Sequence, residues 1–217
     1  MERKIQPRTA LYDGETDEMK KLKPIKAGMI LECTPQGPDA KIYPHVLKTL
    51  CPGMEVEKPE TMTNKKNLIE LGSEVAEMLL QTGCDVVFLI WDRMPKWGGT
   101  GKCADGEGEL TKALTALGVD LGRIVFCCID EELESWIISD ARAVEEFVWQ
   151  QTKPHRQPKF KSPGPAKPKD QLKRYWTPFN DFLHSWPIVQ AMPDFDIAAK
   201  GSKSFADFCA AVGRWCA

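Results

Sequence analysis

The stretch "CDVVFLIWDRMPKWGG", residues 84–99, decides the fold. Val86 to Trp91 is a continuous apolar run rich in β-branched and aromatic side chains. A strand with one wet face alternates apolar and polar residues, and this one does not. It reads as a strand buried on both faces, the kind found inside parallel sheets. It ends on a carboxylate, Asp92, and the chain then turns through Pro95, Gly98 and Gly99. A second run of the same kind, "GRIVFCCIDEELE" (residues 122–134), also passes from apolar residues straight into acids. A third, "GMILE" (28–32), ends on Glu32.

Between these runs lie segments with helical spacing. "NKKNLIELGSEVAEMLLQTG" (64–83) places Leu68, Leu71, Val75, Met78 and Leu79 on one face, with Asn64 as its cap and Gly83 as its stop. "ELTKALTALGV" and "ELESWIISDARAVEEFVW" are helical too, and "CPGMEVEKPE" allows a brief strand around Met54 to Glu57. Strands alternating with helices predict an α/β fold with a central, largely parallel sheet flanked by helices.

The organisation expected along the chain has four parts. Residues 1–27 form a polar lead-in, and residues 28–149 form the α/β domain. Residues 150–174 are a basic, proline-rich linker that excludes a regular helix or an interior strand. Residues 175–217 carry two short amphipathic helices, "RYWTPFNDFLHSW" and "KSFADFCAAVGRWC", whose aromatic faces call for burial against the α/β body.

The 217 residues carry a formal net charge of −2, so no global basic field marks the chain for nucleic acid, although a local patch suffices. No apolar run approaches the roughly 20 residues needed to span a bilayer, and the charged start has no signal-peptide core, so a cytoplasmic protein with no membrane partner is expected. The eight cysteines form no CxxC pair and no zinc spacing with histidine. They read as reduced, mostly buried small hydrophobes.

In open α/β sheets, sites form beyond the carboxyl ends of the strands. Glu32, Asp92 and the acids of "DEELE" fall there if the three strands are parallel neighbours. Crowded carboxylates repel one another unless a cation sits among them, and all-oxygen ligation suits Mg²⁺ or Mn²⁺. A single strand-end acid, by contrast, is often a helix cap or is solvated. Glu134 stands out in its acidic run because Trp136 and Ile137 draw it toward the body. The segment 150–174 holds Lys159, Lys161, Lys167 and Lys169 among its basic residues, which suit either a phosphate backbone or a solubilising linker. His45, His155 and His184 share no motif, Ser135 has no nucleophile-elbow context, and "GGTGK" (98–102) lacks P-loop spacing.

"ILECTPQGPDAKIYPHVL" resembles the opening of a Toprim (topoisomerase–primase) domain, in which a strand ends in glutamate before a turn and a helix. "VVFLIWDRM" is similar to that family's second motif, an apolar strand ending in Asp-x-Asp. "IDEELESWIISD" resembles a segment of small bacterial Toprim-like proteins of uncharacterised function, as do "KPKDQLKRYW" and "KSFADFCAAV". The resemblance spans roughly residues 28–215, and the Glu-x-Trp segment is its most specific part.

What the resemblance implies is a divalent-metal-dependent nuclease. Glu32, Asp92 and Glu134 would be the catalytic residues and the ligands of Mg²⁺ or Mn²⁺, with Asp140 as a further or outer ligand. For such a nuclease, the basic stretch 150–174 would hold the polyanion near the acids, with Lys159, Lys161, Lys167 and Lys169 contacting nucleic acid. It also implies an ATPase partner and a role in bacterial defence against phage. One departure counts against this: Met94 stands where the second aspartate of Asp-x-Asp belongs. Asp105, Glu107 or Glu109, in the glycine-rich "GKCADGEGE", could substitute from a mobile loop, although such an acidic loop is more often only solvated; alternatively the site has decayed and the chain is a non-catalytic subunit of an ATPase complex. A phosphatase or nucleotide hydrolase using the same acids is a third reading.

Overall fold

The computed structural model describes residues 23–152, 159–161, 164 and 166–216. Strands β1 (Lys26–Leu31), β2 (Glu55–Val56), β3 (Glu60–Thr61), β4 (Val86–Asp92) and β5 (Ile124–Ile129) form one sheet, in the order β2-β1-β4-β5 with β3 also on β1, and every pairing is parallel. The fold is therefore α/β with a parallel sheet, as the continuous apolar strands predicted.

Alternate residues of each strand feed two separate cores. Met29, Leu31, Phe88 and Ile90 join one, and Ile30, Val87, Leu89 and Trp91 the other. This is why the strands lack a polar face. The second core is closed by α2 (Lys65–Gln81) and α3 (Cys103–Ala116). Asn64 caps α2 by accepting from the Asn67 amide at 2.9 Å, and Gly83 follows its end with φ +103°, a conformation that favours glycine. The first core is closed by α1 (Asp39–Leu50), α4 (Glu134–Ser139), α5 (Ala141–Thr152), α6 (Pro168–Tyr175), α7 (Asp181–Gln190), α8 (Asp196–Gly201) and α9 (Lys203–Gly213).

The helical extension packs back onto the body as expected. Trp136 of the Glu-x-Trp segment stacks on Phe205 with ring centroids 4.4 Å apart, and its indole N–H donates to Ser204 Oγ at 3.0 Å.

Several expectations need correction. The stretch "ELESWIISDARAVEEFVW" (132–149) enters two helices rather than one, because Asp140 ends α4 and caps α5, accepting from the Arg142 amide at 3.1 Å. The segment 150–174 is not helix-free: α5 reaches Thr152, and α6 opens on Pro168 at its first position, where a missing N–H costs nothing. Within that segment Phe160 is buried, and its amide donates to Glu145 Oε1 at 2.6 Å. The lead-in up to residue 22, and Lys153, His155 and Arg156 of the linker, lie outside the described residues.

Nor are the cysteines all reduced. Cys51 is bridged to Cys216 and Cys103 to Cys128, each pair with Cα atoms 5.6 Å apart, while Cys33, Cys84, Cys127 and Cys209 are free. Partners separated by 165 and 25 residues carry no local spacing signal. Among the described residues no helix is long and apolar enough to cross a membrane.

Candidate functional site

From β1 the chain moves outward to β2 and β3, then crosses back through α2 to β4 on the other side of β1. Between β1 and β4 the strand order reverses, and such a reversal opens a crevice at the carboxyl ends. Glu32 and Asp92 sit at its two lips. The Asp92 amide donates to Glu32 Oε2 at 3.0 Å, and the Glu32 amide donates to the Ile90 carbonyl at 3.1 Å. A recess of about 90 Å³ opens there, lined by Glu32, Asp39, Tyr43 and Asp92 among others.

Asp39 was not singled out from the sequence. It begins α1, and an acid in a first helical turn ordinarily reads as a complement to the helix dipole. The available signal was its position, seven residues after a strand-end glutamate and behind Gly37 and Pro38.

The electrostatics of the crevice follow from burial. Desolvation pushes Glu32 up to about 7, against the opposing pull of Lys65. Desolvation is also the main reason why Asp92 stands well above the ordinary carboxylate range, with Asp39, Glu32 and Glu134 adding repulsion. Asp39 is raised for the same first reason. Asp92 retains some accessible surface, yet protein surrounds its carboxylate closely enough for desolvation to dominate. Among the described residues that carboxylate accepts no hydrogen bond and makes no ion pair.

Two lysines flank the acids. Lys65, only 5% exposed, opens α2; its ammonium lies 3.9 Å from Glu32 Oε2 and donates to the Pro95 carbonyl. Lys169, in the first turn of α6, lies 2.9 Å from Glu132, 3.1 Å from Asp181 and 3.7 Å from Glu134. Burial works against the Lys169 ammonium, but Glu134, Glu132 and Asp181 more than reverse this and raise it. Glu134 is 3% exposed, accepts from Ser185 Oγ at 3.2 Å, and is pushed by desolvation to about 7.

Glu32, Asp92 and Glu134 thus belong to one electrostatic neighbourhood at the carboxyl edge, Glu134 acting on Asp92 from the head of α4. Asp140 does not join them. It stands at the far end of α4, fully buried, with its carboxylate engaged by Arg142 and the Ala143 amide. Met94 is 39% exposed and does not line the recess; its amide donates to the Glu131 carbonyl at 2.9 Å.

The acids expected to substitute for Met94 are on helix α3 rather than on a mobile loop. Asp105 accepts from the Thr100 hydroxyl at 2.8 Å and its amide at 2.9 Å, and these bonds hold its carboxyl below the ordinary range. Glu109 accepts from the Trp97 indole, and Glu107 lines a different groove. Lys159, Lys161 and Lys167 are exposed, whereas Lys169 is committed to the acids of the crevice. His45 packs against Trp186 and His184 against Trp176, away from the recess.

The donor set is hard oxygen, which suits Mg²⁺ or Mn²⁺ in kind. Among the described residues no three histidine, cysteine or acidic side chains stand close enough together to enclose an ion. What fits a cation is narrower: a recess with carboxylates on its walls, one of them partnerless. Comparison with known proteins gives no match, neither to a protein-family model nor to a curated protein or a solved structure.

Proposed function

We propose that the β1/β4 crevice takes up Mg²⁺ or Mn²⁺ and that the protein cleaves phosphodiester bonds of nucleic acid there. The observation that carries this reading is the Asp92 carboxylate, left without a partner in a recess walled by Glu32 and Asp39. Asp92 is partly exposed at the recess, and a carboxylate crowded there by Asp39, Glu32 and Glu134, with only Lys169 opposing them, is stabilised by a cation. Asp92 would hold the ion, and Glu32 and Asp39 on the walls of the same recess would reach it through water, since no three acids among the described residues stand close enough to enclose it directly. The bound ion supplies Lewis acidity toward the phosphodiester.

The chain's own residues do the rest. Glu134, raised to about 7 and set back from the recess at the head of α4, can take up or release a proton at neutral pH. Lys159, Lys161 and Lys167 are exposed and would hold a phosphate backbone. An ATPase partner and a role in defence against phage belong to this reading through the Toprim-like resemblance of the quoted motifs, and a cytoplasmic location through the expectation drawn from the apolar runs and the charged start.

A second reading has an observation of its own. Lys65 and Lys169 already set ammonium groups beside Glu32 and Glu134, as internal counter-ions do in a crevice that no longer binds metal. The chain would then be a non-catalytic subunit of an ATPase complex.

Calorimetric titration with Mg²⁺ and Mn²⁺ at pH 8, beside cleavage assays on single- and double-stranded DNA and RNA, separates the two. Uptake of an ion with metal-dependent cleavage is expected. An absence of ion uptake would overturn the nuclease reading in favour of the second.

A further inference from the structure

A groove of about 360 Å³ runs along the free edge of β5, on the far side of that strand from β4, between α3 and α9. Cys103, the first residue of α3, and Cys128 of β5 both line it, joined by their disulfide and each half-exposed. The groove's charged residues are Glu107, Asp130, Asp207 and Lys203. Lys203 is taken by Asp207 at 2.5 Å, while Glu107 and Asp130 make no ion pair among the described residues. The wall beside the disulfide is therefore net negative.

We propose that Cys103–Cys128 is a thiol–disulfide exchange site for small cationic or neutral thiols, and that it latches the segment from Arg93 to Lys102. The inference does not depend on the metal reading. The segment begins next to Asp92 and ends next to Cys103. At its start the Arg93 amide bonds the Ile129 carbonyl, the Arg93 guanidinium pairs with Glu131 and the Met94 amide bonds the Glu131 carbonyl; further on, its ties include the Pro95 carbonyl to Lys65, the Trp97 indole to Glu109 and the Thr100 amide and hydroxyl to Asp105. Lys102, at the head of α3, gives that helix no side-chain cap. The disulfide is then the covalent tie that keeps the first turn of α3 against the sheet. Both cysteines keep accessible surface in the groove, and accessible bridges are the ones open to attack by a thiolate.

The chemistry balances with two thiols. The thiolate of the first attacks Cys128 Sγ. The Sγ–Sγ bond breaks, and its electron pair leaves on Cys103, whose thiolate the head of a 14-residue helix favours. The thiolate of the second attacks the outer sulfur of the mixed disulfide and releases the Cys128 thiolate together with the small-molecule disulfide. The two protons lost by the thiols end on Cys103 and Cys128, and the protein gains two electrons.

The test uses the full chain and its Cys51→Ser/Cys216→Ser variant. Opening is followed by alkylation and peptide mass mapping, with cysteamine and glutathione as probes, each corrected for its rate on a simple model disulfide. Cysteamine is expected to open the bridge about tenfold faster than the anionic glutathione. The preference should collapse at high salt and in a Glu107→Gln/Asp130→Asn variant. Opening should raise amide hydrogen exchange at least about tenfold across residues 93–106 and leave β4 unchanged. Two outcomes would overturn the proposal: free Cys103 and Cys128 thiols that cystamine fails to bridge, or a bridge whose opening leaves exchange in that segment unaltered. Equal corrected rates for the two probes would overturn the stated thiol class.

Discussion

Asp85 and Asp92 stand at opposite ends of the same strand, and their surroundings differ in kind. At the amino end, Asp85 Oδ2 accepts from the Lys26 amide at 2.8 Å, tying the starts of β1 and β4 together. Its carbonyl accepts from Arg123 Nε at 3.0 Å, which brings in the start of β5. At the carboxyl end, Asp92 gives its amide to Glu32 and keeps a carboxylate with no partner among the described residues. The first acid closes a hydrogen-bond circuit that holds three strand ends in register. The second leaves one open among like charges. A strand-end acid is therefore read by its satisfied bonds rather than by its place in the sequence.

The sharpest way to break this contrast is to neutralise Asp92. Asp92→Asn is expected to weaken Mg²⁺ or Mn²⁺ uptake about 100-fold or more by calorimetry and to abolish any metal-dependent cleavage. Its melting temperature without metal should be unchanged or slightly higher, because a repulsion is relieved. A metal-free protein markedly destabilised by this change would make Asp92 a structural acid like Asp85.

Next in size is the pH dependence. Glu32 and Glu134 are raised from 4.5 to about 7 in the fold. Between those values the folded state holds more protons than the unfolded one. Each group's contribution is full below pH 4.5 and is lost as pH rises toward 7, on the order of 3 kcal/mol apiece. Denaturant unfolding at pH 5 and pH 8 should show the loss in wild type and a flatter profile in Glu32→Gln/Glu134→Gln. Bound ion stabilises the ionised acids, so saturating Mg²⁺ should reduce or reverse the slope.

A smaller effect is expected at the other end of β4. Asp85→Ala leaves the Lys26 amide without its acceptor and should cost about 1–3 kcal/mol in urea unfolding, with ion affinity untouched. The smallest belongs to Met94→Asp. The side chain is exposed and outside the recess, so stability should move by less than about 0.5 kcal/mol and ion affinity should stay put. A gain in affinity would mean that residue 94 can turn inward.

The sheet was legible because Val86–Trp91 and Ile124–Ile129 have no polar face, a pattern set by two cores pressing on one layer. Glu32 and Asp92 followed from it, since strands that run parallel end on one edge. Asp39 was not legible as a site residue, because a first-turn acid looks the same whether it faces solvent or a crevice. Lys169 read as one basic residue among several; only the placement of α6 separates it from Lys159 and Lys161. The Cys103–Cys128 bridge depends on α3 lying across β5, a contact that no local spacing encodes. Asp140 misled for the opposite reason: its motif position suggested chemistry, but the break between α4 and α5 needs a cap there.

The two-residue strands β2 and β3 have a consequence for solubility. They cover β1 at Lys26–Ala27 and again at Ile30–Leu31, with Lys58 and Pro59 in the gap between them. Among the described residues, the outer border of the sheet on that side pairs with β1 in two separate two-residue stretches, and Pro59 between them has no N–H to donate. A stray strand from another molecule finds too short a template to zip onto. On that border, though not along β5, the interruption works against edge-to-edge pairing with another chain.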